Sequence, residues 1–551
     1  MCAIGPSEKQ KAARTFDAEL MVGCAILGLA LVFGVATASD YGITIDEFNT
    51  EGYGPKALAW YSSGFTDRSQ FAFEEMAMYG PWAQMVTAAV QSLGLASPLT
   101  VRHAVTFVVG LAGIAAVLPL GRLAAGKWAG LTAVVLCLIT GYLYGLLFFA
   151  PIDTPFLAAM SWSTLAIVMM TRRGVPSWRA TVVTGLAMGL ALGTRTGGVI
   201  TFTYLFGAPA LCALERVPWL ERGGASAVLR IALRFSAAVA IACAVAYALW
   251  PWLHIGNPLS QFAKAYTHFA RIQLIMEFPS WGRALATTAL PGWYIPEQLL
   301  ARLPVLFLVL LVVAGVAGLT NLVRLAGKAV SRCLRFGLAG LKAPALWLAR
   351  SRAILVVLVA AVAPGAIIAL TSMSHYDGIR HVLFTIPMLA ILAGWGLQRM
   401  TPLIVRFPRT AAVLGGAQVV YSIVLMVMLH PLEYVATNML TGGIWGAYER
   451  FELDFWSAAG STAVRQLEQR LRTDPTLAAE MPRVITCIPW REQEMGKIYP
   501  QGWIVETDPA KAQFLIETER YRCAQGRDAK LIDEVKRLGH AFAWTYIATP
   551  P

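Results

Sequence analysis

Apolar runs long enough to cross a hydrocarbon layer follow one another along most of the chain, separated by short connections rich in lysine and arginine. An α-helix rises about 1.5 Å per residue, so a hydrocarbon core of about 30 Å takes roughly 20 mostly apolar residues. Residues 19–38, 103–121, 128–149, 231–250, 303–323, 353–371 and 411–429 reach that length. Shorter or more polar runs at 156–171, 180–194, 197–213 and 382–398 bring the expected total to about 11 spans. The pattern predicts a polytopic α-helical membrane protein.

Three segments break the rhythm, at 39–99, 251–301 and 430–551, and long connections more often carry function than fill space. In the first, Met85, Val86, Val90 and Leu93 fall on one helical face after Pro81, which suits an interfacial helix or a short packing helix equally. The second ends in aromatic residues, and Trp281, Trp293 and Tyr294 are expected in an interfacial belt. The third loses the apolar runs altogether. A helix is expected from near Ser461 to Arg472, with the Ser461 hydroxyl as cap, together with strands at RVITCI, QFLIET and AFAWTYI and a helix at Asp533 to Leu538 ended by Gly539. The chain therefore divides into a membrane part, 1–429, and a small soluble α/β domain, 430–551.

Composition strengthens this reading. Hydrophobic residues make up 57% and charged residues 14%, with mean hydropathy +0.58, which excludes a soluble globular chain of this length. The net charge of +13 is spread between spans rather than gathered on one face, so it reads as a topology signal and not as a nucleic-acid surface. With Lys9, Lys11 and Arg14 inside, the inside connections carry Arg122 and Lys127, Arg172 and Arg173, Arg216 and Arg222, then Arg324 to Arg352 and Arg399 to Arg409. The positive-inside rule then sets the N-terminus in the cytoplasm of a bacterial inner membrane and the C-terminal domain in the periplasm. The first apolar run is longer than a signal-peptide core, so an uncleaved anchor is expected, and either outcome leaves Asp46 outside. Eight cysteines form no Cys-x-x-Cys pair, which argues against zinc. Cys487 and Cys523 share the external tail, where an oxidising compartment permits a disulfide.

Candidate chemistry collects at the expected outer ends of the spans. An ionisable side chain costs about 2.5–3.5 kcal/mol at the centre of a membrane helix, so those at span ends mark sites by default. They are Asp40, Asp46, Glu47, Arg102, His103, Asp153, Arg195, His375, Tyr376, Asp377, Arg380 and His381. Guanidinium groups hold phosphate bidentately at any working pH, and a carboxylate can take a proton from an attacking hydroxyl. The plain structural alternative is that each arginine pairs with an aspartate merely to be tolerated at the interface.

The Asp46-Glu47 pair beyond the first span, APIDTPF with Asp153, GTRTGG with Arg195, LPGWYIPEQLLARLP before the eighth span, YDGIRHVLFTIPMLAILAGWG and NMLTGGIWGAYERFELDFW occur in an order that resembles the GT-C membrane glycosyltransferases. That group includes the protein O-mannosyltransferases and the aminoarabinose transferases. The resemblance spans nearly the whole membrane part and the start of the tail. It departs from many relatives where Met78-Tyr79-Gly80-Pro81 replaces a histidine-proline or double-proline motif.

What the resemblance implies is inverting transfer of a sugar from a polyprenyl-phosphate donor to a lipid, glycan or protein acceptor at the outer face, with no nucleotide sugar used directly. Asp46 would be the catalytic base and Glu47 its helper. Arg102, Asp153, Arg195, Tyr376, Arg380 and His381 would hold the donor phosphate. Asp46 and Asp153 would be the candidate ligands for a divalent cation, magnesium or manganese, although two carboxylates do not make a metal site by themselves. A multi-span transporter, or a flippase or ligase for lipid-linked glycan, is the competing reading; internal repeats, which transporters commonly carry, are not evident.

Overall fold

The computed structural model describes residues 17–548 apart from 51, 173–174, 216, 272–274, 338–341, 372, 374, 478–480 and 489–498. Lys9, Lys11, Arg14, Arg173 and Arg216, invoked for topology, lie outside the described residues. The membrane part is almost wholly helical. Besides a helix at Tyr53–Ser62 and a 3-10 helix at Ser69–Met78, its first half includes α1 (Ala18–Thr37), α2 (Ile45–Thr50), α3 (Trp82–Gln91), α4 (Pro98–Ala125), α5 (Lys127–Leu138), α6 (Gly141–Phe149), α7 (Asp153–Thr171), α8 (Trp178–Leu192), α9 (Ile200–Glu215) and α10 (Val217–Leu249). After α11 (Pro258–Arg271) and a hairpin of β1 (Glu277–Ser280) and β2 (Arg283–Ala286) come α12 (Tyr294–Arg302), α13 (Val305–Phe336), α14 (Arg352–Thr371), α15 (Ile386–Arg399) and α16 (Pro408–Leu429).

Among the described residues, eight helices are long and apolar enough to cross a membrane, and nine if the pair α5 and α6, bent by 69°, counts as one span. The remaining runs in the expected count of about 11 fold as the shorter α8 and α9, of 15 and 16 residues. Burial separates an inner set from an outer one. The apolar window of α7 is 89% buried within the protein, whereas those of α1 and α16 are only 11% buried. Helices that are apolar all round yet uncovered by protein need lipid as their solvent, so α7, α4 and α15 form the centre and the others the wall.

Small residues allow the close approaches this requires. A side chain at Gly113 of α4 would overlap Ala158 of α7, and Gly185 and Gly189 of α8, one turn apart, face Ile241 and Val245 of α10. Gly141 and Gly145 of α6 likewise admit residues 433–436, so the start of the C-terminal segment is wedged against the membrane bundle. At the far end of the bundle, Arg122 closing α4 pairs with Glu19 at 2.6 Å, and Lys127 pairs with Asp17 at 3.1 Å.

The C-terminal segment contains α17 (Ala458–Thr473) packed on a five-stranded mixed sheet. Its strands are β3 (Arg483–Thr486), β4 (Ile504–Val505), β5 (Phe514–Thr518), β6 (Ala529–Arg537) and β7 (His540–Ala548), in the order β4-β3-β5-β7-β6. β3 runs parallel to β4 and β5, whereas β7 is antiparallel to both of its neighbours. The three expected strands lie at β3, β5 and β7.

Two expectations need correction. Residues Asp533 to Arg537 belong to a strand instead of a helix and Leu538 to the turn after it: Leu538 and Gly539 take φ of 51° and 86°, the paired left-handed geometry of a tight hairpin, and cross-strand pairing with β7 overrides the local helical spacing. The second concerns the start of α17, three residues earlier than expected. Its first N–H groups are satisfied by the Asp454 carboxylate, which accepts from Ala458 N at 2.9 Å and Ala459 N at 3.1 Å. The Ser461 hydroxyl, expected as the cap, instead donates to the carbonyl of Ile43 at 2.8 Å.

Cys487, just beyond β3, is disulfide-bonded to Cys523, 36 residues away. Closing a loop of that length is worth roughly 3–4 kcal/mol against the unfolded chain. Replacing both cysteines by serine should make the C-terminal domain unfold at lower denaturant and yield to protease first, as read by limited proteolysis of purified protein. Equal protease resistance with and without the bond would contradict this.

Candidate active site

Loops from six places in the chain converge at the end of the bundle opposite Arg122 and Lys127. Asp46, in the one-and-a-half-turn helix α2, places Oδ2 2.5 Å from Nη1 of Arg380. That same nitrogen is 4.0 Å from Oδ2 of Asp153 at the start of α7, and the other Asp153 oxygen accepts from Nη1 of Arg195. Asp46, Arg380, Asp153 and Arg195 thus form a row of alternating sign. The guanidinium of Arg380 lies over the Tyr376 ring at 4.7 Å and faces Trp456 at 5.5 Å; His381 meets the Tyr376 ring edge-on at 4.9 Å. Of the predicted residues, Asp46, Asp153, Arg195, Tyr376, Arg380 and His381 therefore meet in one place.

The row is largely withdrawn from water, with Asp46 the most accessible member. Side-chain exposure is 5% for Asp153 and 9% for Arg380, but 28% for Asp46. Although its rim is open, burial of the Asp46 carboxyl raises its pKa from the ordinary aspartate value, with Asp377 and Asp153 adding to the rise and Arg380 opposing it. A base with a raised pKa is a stronger proton acceptor once ionised.

Glu47 and Arg102 are engaged elsewhere. Glu47 is fully buried, its Oε2 accepts from the N–H and hydroxyl of Thr44 at 3.0 and 3.1 Å, and its Oε1 lies 2.9 Å from Nε2 of His103. Nδ1 of His103 is 3.1 Å from the Ala38 carbonyl, and Arg102 donates to the Glu47 carbonyl at 3.1 Å. These contacts lock α2 to the ends of α1 and α4. They set where Asp46 points without sharing its surroundings.

Several residues that build the site escaped sequence reasoning. Tyr79 lies under Arg195, 5.6 Å from ring centre to guanidinium carbon, and the divergent Met78-Tyr79-Gly80-Pro81 segment is zipped to the Arg195 loop. Gly80 N donates to the Thr194 carbonyl at 3.1 Å, and Trp82 Nε1 donates to the Thr194 hydroxyl at 2.6 Å. A side chain at Gly80 would overlap the Gly193 carbonyl, so only glycine lets the two loops touch. Tyr294, expected in an interfacial belt, is buried; its hydroxyl accepts from Gly378 N at 3.0 Å while that of Tyr142 accepts from Ile379 N at 3.3 Å. Two buried phenols thus hold the loop that carries Arg380.

Asp46 and Asp153, the candidate cation ligands, both face arginines, and among the described residues no group of three or more His, Cys, Asp or Glu is arranged to hold a metal ion. A divalent ion would have to displace a guanidinium, so the donor set does not fit a resident metal.

The separation of roles between adjacent carboxylates is testable. Glu47→Ala strands His103 and the α2 turn in a buried site, and breaking a buried pair costs about 3–5 kcal/mol. The variant should lose thermal stability in detergent by scanning fluorimetry, whereas Asp46→Asn should melt close to wild type; the reverse order would overturn the assignment.

No protein-family model matches the chain, and no curated protein matches it. Among solved structures it is similar to ArnT from Cupriavidus metallidurans in the apo state, at 15% identity and a TM-score of 0.47, over 96% of this chain and 97% of that one. The same ArnT bound to undecaprenyl phosphate is similar at 14% identity and TM-score 0.47, over 96% and 98%. The Archaeoglobus fulgidus oligosaccharyltransferase in the apo form is similar at 12% identity and TM-score 0.42, over 89% of this chain and 65% of that one.

Proposed function

We propose that the chain is an integral-membrane glycosyltransferase that moves a sugar from a polyprenyl-phosphate donor to an acceptor hydroxyl at the outer face of a bacterial inner membrane. The observation that carries this is the alternating row Asp46–Arg380–Asp153–Arg195, set at one end of an apolar helix bundle with Asp46 at its open side. The order of sequence motifs along the chain supports the donor class, and the basic residues at the opposite end of the bundle support the outer-face placement.

The chemistry follows from what each group can do. A donor phosphate arriving from the lipid side meets Arg380 and Arg195, whose planar forks can exchange a carboxylate oxygen for a phosphate oxygen. Competition for Arg380 frees the Asp46 carboxylate, which takes the proton of the acceptor O–H as that oxygen attacks the anomeric carbon. The bond from that carbon to the phosphate oxygen breaks, and the lipid phosphate leaves with its negative charge held by the arginines. One direct displacement inverts the anomeric centre. Asp153 orients both arginines. Tyr376 and His381 wall the phosphate site, and Arg102 and Glu47 hold the α2 turn in place.

Asp46→Asn should lower turnover by 10²-fold or more, the usual worth of a positioned base, in protein reconstituted with a polyprenyl-phosphate sugar and assayed for lipid-phosphate release. Retained turnover in a folded Asp46→Asn protein would remove Asp46 as the base. The pH dependence has a definite sign. The base works ionised, so activity should fall as pH drops through the Asp46 pKa, and because burial raises that pKa the acid limb should sit above the ordinary aspartate value of about 3.9. A limb at or below that value would contradict the buried environment.

A further inference from the structure

The reacting row does not end at Arg380. Its Nε lies 3.1 Å from Oδ2 of Asp377, three residues earlier, and the other Asp377 oxygen is 2.5 Å from Nη2 of Arg520. Arg520 follows β5 in the C-terminal domain, and its Nε donates to Glu452 at 2.6 Å. Asp377 and Arg520 expose only 3% and 8% of their side chains, so the pair is too enclosed to be a solvated surface contact. Glu452 is itself anchored, its N–H donating to the Pro279 carbonyl of the β1–β2 hairpin at 3.2 Å. Asp377 is also conformationally unusual, with φ of 59° followed by Gly378 at 68°. Aspartate tolerates the left-handed region better than most side chains, and with Gly378 it makes the tight turn that leads to Arg380.

We infer that Arg520 is a positioning residue for the reacting centre: by holding Asp377 it fixes the turn that aims Arg380 and sets how much of the Arg380 charge remains for Asp46. The inference rests on the reading of Asp46 as the base. One carboxylate, Asp377, lies between two guanidiniums. With both present, Arg380 is shared among Asp46, Asp377 and Asp153. With Arg520 gone, Asp377 has only Arg380 to neutralise it and draws that guanidinium away from Asp46.

The charged and titratable groups facing Asp46 are Arg380, Asp377, Asp153 and Tyr376. Those facing Arg520 are Asp377, Glu452, Asp454 and Tyr521. The other cation beside this cluster is Arg302, which is held by the carbonyls of Val435 and Ala436 at 3.0 and 3.4 Å and of Glu452 at 2.8 Å and makes no ion pair with Asp377 among the described residues. Loss of Arg520 therefore leaves Asp46 with less positive charge nearby, and its ionised form is disfavoured.

The test compares full-length wild type, Arg520→Gln and Arg520→Lys for sugar transfer from a polyprenyl-phosphate donor across pH. Arg520→Gln should move the acid limb to higher pH by about one unit, the lower end of what a neighbouring guanidinium does to an aspartate. Arg520→Lys, which keeps the charge, should recover most of that shift. A uniform loss of turnover at all pH values with an unmoved limb would reduce Arg520 to a structural clasp and overturn the inference while leaving Asp46 as base. A wild-type protein that transfers no sugar would overturn both. If Arg520→Gln does not fold, Asp377→Asn breaks the same link from the other side: it removes the carboxylate that competes for Arg380, so the limb should move to lower pH, and an unmoved limb again decides against the inference.

Discussion

Arg380 is the hub on which the site depends, because three carboxylates from three different parts of the chain need its one positive charge. Asp46 comes from the turn after α1, Asp153 from the head of α7 and Asp377 from the turn before α15, and all lie within 4.0 Å of its guanidinium. At the end of an apolar bundle such acids are costly unless neutralised, and a guanidinium with five donors is the side chain able to serve several at once. The helices around it are held by close contacts between small residues, so the bundle supplies rigidity while Arg380 supplies the reason for the loops to meet. On the proposed reading, a phosphate entering this place would replace one carboxylate among several, and the row would not have to be dismantled.

The C-terminal domain completes that geometry. Asp40, Ile43 and Ile45 of the turn carrying Asp46 are gripped by Arg465, Ser461 and the Trp456 carbonyl, at 3.0, 2.8 and 3.2 Å. The Arg380 loop is tied to the same domain through Arg520. Asp454, which caps α17, and Glu519, which accepts from Asp454 N at 2.9 Å, are buried carboxyls whose pKa values burial pushes up to about 7. Within the domain these carboxyls are held mainly by backbone N–H groups, and Arg520 supplies an ionic link from the domain to the Arg380 loop. Both the Asp46 turn and the Arg380 loop lean on this domain, which adds Arg520 and Trp456 at the edge of the row Asp46–Arg380–Asp153–Arg195.

Legibility in the sequence followed the physics of each signal. Long apolar runs need no partner to declare themselves, so the spans and the ends that bear Asp46, Asp153, Arg195 and Arg380 could be read directly. The α5–α6 bend could not, because the run 128–149 stays apolar across the break at Ile139–Thr140 and hydropathy carries no bond angles. The strand at Asp533–Arg537 was hidden by a locally helical spacing, since a hairpin's energy lies in a partner strand. Arg520 and Glu452 carry no local mark that sets them apart from the other charges of the tail, and Tyr294 looked like a membrane-interface aromatic. Their roles arise only when distant segments close on the Arg380 loop. Asp377 did stand in the right motif, but nothing local marks it as shared between two arginines.

The divergence of Asp46 and Glu47 has a simple geometric origin. Successive residues of a helix point about 100° apart, so in a turn as short as α2 two adjacent carboxylates cannot face the same way. One must look toward Arg380 and the open side, and the other toward His103 and the ends of α1 and α4. Had Glu47 been the outward residue, its longer side chain would have reached Arg380 with more freedom to move. A short carboxylate on a turn clamped from beneath is the better held of the two, because the Glu47–His103 contact fixes the backbone while Asp46 has few rotamers left to lose, which suits the role of base proposed for it. The dipeptide thus sends one carboxylate to Arg380 and the other to His103, and the buried half holds the turn that the more exposed half stands on.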